Sequence, residues 1–243
     1  EPDHVPWFGD LSYWGLSLQK GLVGRDYSLA HEYYQLHREL GVGFYLQGYE
    51  PFTATYDDSI QVENENRGDL RIRRVLTPIG QIEEHWRWLP KSFCEAPVKH
   101  FIEDIEDLRV FRYWMEHTTF VANYDEAKRR YDLVGDMGVV LCYLPKSPLM
   151  QLIALYAGIE SVVMLWMDYK AEFNDFMEVL RQKSNEAAEV ALNSPAECLM
   201  IPENLSSEVV GKRFFHDYAE DYLRFWVQRI DEMGKYSFIH MDG

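Results

Sequence analysis

The stretch from Ala196 to Gly243 reads AECLMIP (196–202), ENLSSE (203–208), VVGKRFFHDYAEDYLRFWVQRIDEMG (209–234) and KYSFIHMDG (235–243). An apolar run, a polar turn, a long amphipathic segment and a second apolar run predict strand, helix and strand, the unit of a parallel sheet. Both apolar runs end in polar groups, Glu203 and Asn204 after the first, His240 and Asp242 after the second. Carboxyl ends of neighbouring parallel strands face one crevice, so these four side chains are expected to share a space.

Upstream, HVPWFGDLSYW (4–14) reads as a first strand over 5–10 that ends at Asp10, with Tyr13 and Trp14 just beyond. Asp10 either caps the following turn or, with the two rings, walls a pocket. A helical spacing over 28–40 stops at Gly41, and GVGFYLQGY (41–49) is a second buried strand. Residues 51–90 alternate with period two, punctuated by Asn66, Gly68, Pro78 and Gly80, which predicts an antiparallel meander inserted over the strand ends. Within it Arg71, Arg73 and Arg74 are either a solvated strand face paired with glutamates or a grip for a substrate carboxylate. Helices are expected over 103–118 and 124–134, a third strand over GVVLCYLP (138–145), and further helices from Leu149 to Tyr156 and over 158–166 and 168–193. Lys146, at the third strand's end, is a candidate anion holder.

A chain of 243 residues with 47% hydrophobic and 26% charged residues is of ordinary globular composition and can bury one sizeable core. Its formal net charge of -16 excludes a nucleic-acid partner and disfavours a polyanion unless cations are focused in one cleft. No signal-peptide pattern opens the chain and no apolar run of roughly 20 residues is evident, so a cytoplasmic location away from the membrane is expected. Cys94, Cys142 and Cys198 show no metal-binding spacing; Cys142 and Cys198 read as buried thiols, with a distributed zinc site as the alternative.

The layout VPWFGDLSYW, GVVLCYLPKSPLMQLI and the 197–243 stretch resembles the uroporphyrinogen decarboxylase superfamily, which includes tetrapyrrole decarboxylases and zinc-dependent, corrinoid-linked methyltransferases. The resemblance implies a (β/α)8 TIM barrel with its site at the strand carboxyl ends. Only five barrel strands are countable (5–10, 41–48, 138–145, 197–202, 236–241), so the expectation is an incomplete barrel in a single domain over 1–243, with roughly 100 residues missing at the carboxyl end at about 30 per βα unit.

The departures from that family matter for function. Where its decarboxylases carry a Gln-Ala-Gly-Arg-Tyr motif, this chain has Phe8-Gly9-Asp10-Leu11-Ser12-Tyr13, and where their catalytic Asp follows the next strand it offers Gln47-Gly48-Tyr49-Glu50. Its methyltransferases end the last strand here in His-x-Cys; this chain has His240-Met241-Asp242. Residues two apart on a strand share a face, so His240 and Asp242, with Glu203, are candidate ligands of a Zn²⁺ ion, or else a metal-free pair that polarises the substrate.

The resemblance therefore implies first a methyltransferase working with a corrinoid on a partner protein. His240, Asp242 and Glu203 would be catalytic, and Asp10, Tyr13, Trp14, Tyr49, Lys146 and Asn204 would contact a small-molecule substrate. A decarboxylase using one of the three arginines and a non-catalytic binding protein are the alternatives. A homodimer is also in keeping with the resemblance.

Overall fold

The computed structural model describes residues 7–11, 30–92 and 94–241, with backbone alone at 30–32 and 44–48. After helix α1 (Ala30–Leu40) comes strand β1 (Phe44–Tyr49), then β2 (Phe52–Tyr56), β3 (Gln61–Arg67), β4 (Leu70–Thr77), β5 (Gly80–Leu89) and β6 (Cys94–Lys99). Helix α2 (Ile105–Glu116), β7 (Thr118–Ala122), α3 (Asp125–Val134) and β8 (Gly138–Tyr143) follow. A continuous helical stretch is made of α4 (Pro148–Gln151), a π-helix (Leu152–Ala157) and α5 (Gly158–Asp168). The chain then runs through α6 (Lys170–Leu192), β9 (Cys198–Leu205), α7 (Ser207–Tyr218), α8 (Glu220–Glu232) and β10 (Tyr236–Met241).

The parallel strands form one sheet in the order β1-β8-β9-β10, with a single parallel bridge from Phe8 to Gly43 beside it. This overturns the expected (β/α)8 barrel. Among the described residues four parallel strands form an open sheet, and the other six strands pair antiparallel in two further sheets. Alternation and apolar runs specify strands but not their partners, so the barrel rested on the family resemblance, and the same segments build a smaller sheet.

The antiparallel part also differs from a single meander over 51–90. β3 to β6 form a meander in sequence order, whereas β2 pairs with β7, far along the chain, in register Phe52↔Ala122 to Tyr56↔Thr118. The long helix expected over 209–234 is likewise divided. Gly211, at φ 68° and ψ 156°, breaks α7 after its first turn, and Ala219 separates α7 from α8.

Local sequence explains several boundaries. Asp104 caps α2, its carboxylate accepting from the backbone N–H of Glu106 at 2.9 Å and of Asp107 at 3.0 Å, and Glu106 and Asp107 complement the helix dipole. One face of α2 (Leu108, Phe111, Trp114, Met115) packs with Phe101, Phe173 and Phe176 into an aromatic core between meander and helices. A second core joins the sheet (Val140, Cys142, Leu199, Ile201) to α6 and to Trp226 and Ile230 of α8. The thiol of Cys142 is fully buried and burial pushes its pKa up to about 12, so it stays protonated at neutral pH and behaves as a small apolar group.

Pro148–Asp168 is long and apolar enough to cross a membrane by length and composition, with mean hydropathy 1.6, which sequence reading passed over; 44% of that window is buried within the fold. Its centre is the π-helix, whose end is fixed from outside: the Ile102 N–H donates to Tyr156 O at 2.9 Å, and the His100 ring Nδ1 lies 3.4 Å from Leu155 O. Gly158 then turns the chain at φ 74° and ψ 160°, a conformation open in practice only to glycine. A Cβ there would sit 3.1 Å from the His100 ring. Gly158→Ala is expected to cost about 1–3 kcal/mol from backbone strain, measurable by urea unfolding; an unchanged midpoint would mean the turn relaxes without loss.

Candidate functional site

Because β1, β8, β9 and β10 run parallel, their carboxyl ends lie along one edge of the sheet, and a cavity of about 680 Å³ opens there. Each strand end contributes: Glu50 just after β1, Tyr143 to Lys146 at the end of β8, Met200, Pro202 and Asn204 from β9, and His240 from β10. The facing wall is aromatic. Phe52, Ala54 and Tyr56 are alternate residues of β2 and share a face, as do Thr118 and Phe120 on β7. Arg73 reaches in from β4, Trp114 from α2, Tyr156 from the π-helix, and Lys183 and Ser184 from α6.

The three neighbouring arginines of the meander have different fates. Arg71 forms a bidentate pair with Glu95, closest approach 2.7 Å, and Arg74 is held by Glu65 at 3.0 Å and Glu83 at 2.9 Å. Arg73 alone of the three faces the cavity, and among the described residues it forms no ion pair, its cross-strand neighbour on β5 being the buried Glu84. Its guanidinium lies 5.1 Å from the Trp114 ring centroid and 5.9 Å from that of Phe101, and it donates to the Tyr56 hydroxyl at 3.2 Å. Aromatic faces stabilise a cation without cancelling its charge, so the planar donor fork stays available to a carboxylate.

Glu50 is the cavity's only acidic lining residue among those described. It is accessible, yet burial holds its pKa above the ordinary carboxylate range. The two observations agree if its accessible surface is the cavity: a water-sized sphere reaches it, while surrounding protein replaces most of the bulk solvent that would stabilise its charge. No other described residue hydrogen-bonds its carboxylate. Lys146 donates to Pro202 O and Asn204 Oδ1, and Lys183 donates to Thr118 O at 2.9 Å and pairs with Glu186 at 2.9 Å. Asn204 is the one described non-glycine residue at positive φ, 53°, so the backbone is turned where it meets Lys146.

The residues chosen from sequence divide accordingly. His240, Asn204 and Lys146 line this cavity together, His240 exposed at its rim. Glu203 does not: alternate strand residues point to opposite faces, and it lies fully buried behind Pro202 and Asn204. There it accepts from the Ser147 backbone N–H at 2.8 Å and from the Ser147 hydroxyl, bracing the residue that caps α4. Of the expected zinc-binding set, Glu203 is committed to Ser147 and does not share the cavity with His240, and Asp242 lies outside the described residues.

Tyr49 is buried on the far side, under the Arg130 guanidinium at 5.0 Å, and does not line the cavity. Asp10 is exposed and accepts from the Tyr33 hydroxyl at 3.3 Å, also away from it. Tyr13, Trp14 and Asp242 lie outside the described residues. Missed from sequence were Tyr156, Trp114 and the β2–β7 wall, while Glu50 was noted only as part of the segment standing where the family's catalytic Asp follows its strand. Glu50 had a signal, since it follows a strand end, and Arg73 was singled out only as one of three.

No protein-family model matches the chain, and neither a curated protein nor a solved structure does.

The contrast between Glu203 and His240 is testable. Glu203→Ala leaves the buried Ser147 N–H and hydroxyl without their acceptor and is expected to cost about 1–3 kcal/mol, whereas His240→Ala, at an exposed position, should stay within about 0.5 kcal/mol. Equal effects in chemical denaturation would contradict this division into brace and cavity residue.

Proposed function

We propose that the cavity at the strand ends binds a small, ring-bearing molecule with more than one carboxylate, and that the chain is a decarboxylating enzyme acting on it. The observation that carries this reading is Arg73, a cation facing an aromatic-walled cavity and forming no ion pair among the described residues, in a chain of net charge -16. Lys146 and Lys183 line the same space, so cations are focused in one cleft. A cytoplasmic location accords with this reading.

An ion pair with Arg73 stabilises a carboxylate in place, so the group that leaves is a second one lying against the aromatic wall. The bond between the ring substituent's carbon and that carboxylate breaks, its electron pair stays on carbon, and carbon dioxide departs. Glu50, whose raised pKa keeps a larger protonated fraction near neutrality, gives its proton to that carbon and recovers one from water. Methyl transfer to or from a corrinoid on a partner protein is the second reading. The exposed position of His240 at the rim favours it, because a cofactor on another chain has to enter from that side.

Titration calorimetry with benzoate and phthalate tests the anion grip. Both are expected to bind, phthalate more tightly, and Arg73→Gln should weaken both by about 10- to 100-fold, the equivalent of one charge-assisted contact. Affinity unchanged by Arg73→Gln would overturn the reading. The pH dependence has a definite sign: a protonated Glu50 does not repel an anion and an ionised one does. Affinity for benzoate should therefore fall as pH rises through the raised Glu50 pKa, and Glu50→Gln should flatten that slope.

A further inference from the structure

The π-helix serves the cavity. Its winding and the clamps on its carbonyls from His100 and Ile102 place Tyr156 over Phe111, ring centroids 4.6 Å apart, with the phenol near Glu50, Arg73, Glu84 and Tyr56 and lining the cavity. Short π segments cost helical hydrogen-bond geometry and recur where one side chain has to be delivered to a site. Among the described residues no protein group hydrogen-bonds the Tyr156 hydroxyl, and its open surface is the cavity. Two polar groups without protein partners, the Glu50 carboxyl and the Tyr156 hydroxyl, thus stand beside a guanidinium inside aromatic walls. Such groups are costly to leave unmet once a ligand has displaced the water.

We infer that Tyr156 is a specificity-determining residue, and that with Glu50 it selects a ring carboxylate that also carries a hydroxyl or ring N–H, the ring substituent bonding to this pair while the carboxylate takes Arg73. This rests on the anion grip described above and adds the second recognition element. A site that hydrogen-bonds such a substituent discriminates by leaving its own polar groups unpaired when the substituent is missing. The phenol stays a donor throughout, since burial among these neighbours raises its pKa.

The experiment compares benzoate with 2-, 3- and 4-hydroxybenzoate by calorimetry on the wild-type chain, Tyr156→Phe and Arg73→Gln. One hydroxybenzoate isomer is expected to bind the wild type about tenfold more tightly than benzoate, one good hydrogen bond. Tyr156→Phe should remove that advantage while keeping benzoate affinity within about twofold, the retained benzoate binding reporting an intact cavity. If the advantage survives in Tyr156→Phe, or no isomer has one, the inference fails while the anion grip stands. If Tyr156→Phe loses benzoate as well, Tyr156 is structural and the inference fails. If no probe binds, or Arg73→Gln binds all of them unchanged, the anion grip itself fails.

Discussion

Arg73 on its aromatic platform is the interaction around which the cavity is organised. A guanidinium between Trp114 and Phe101 keeps its charge while shedding part of its hydration, and among the described residues no acid forms an ion pair with it, although buried Glu84 stands opposite it on β5. Its two neighbours on the same strand show the ordinary alternative, each satisfied by glutamates of the meander. Placing one cation without an ion pair costs stability unless a ligand supplies the charge, and active sites commonly hold groups of that kind.

The architecture follows from getting that cation to the parallel strand ends. The sheet β1-β8-β9-β10 presents Glu50, Lys146, Asn204 and His240 along one edge, but a parallel sheet alone leaves that edge open. The β2–β7 ladder and the meander close the opposite side, and α2 locks them to the helices through Phe111 and Trp114. Trp114, Met115 and Leu180 belong to both the buried core and the cavity wall. Altering Trp114 would disturb packing and ligand contact together.

Sequence carried the elements further than their arrangement. Strands near 44–49, 138–143, 198–205 and 236–241 and the helices 105–116 and 125–134 are visible as apolar runs and periodic faces, because those patterns arise within each segment. The pairing of β2 with β7 is not visible, since the partners are 60 or more residues apart and nothing local encodes the match. The open sheet, mistaken for part of a closed barrel, is the same kind of error. At the site, Lys146, Asn204 and His240 were legible because strand ends announce themselves, whereas Glu203 was misplaced by one residue's alternation. Tyr156 was hidden inside an apolar helical run, where only the π winding and the clamps from His100 and Ile102 turn it toward the cavity.

The most direct test of this account is a crystal structure of the protein grown with phthalate. The account predicts one phthalate in the cavity, its ring against Phe52 and Trp114 and one carboxylate forked on the Arg73 guanidinium. Phthalate bound elsewhere on the chain, with the Arg73 guanidinium left on its aromatic platform and the cavity holding only water, would contradict it.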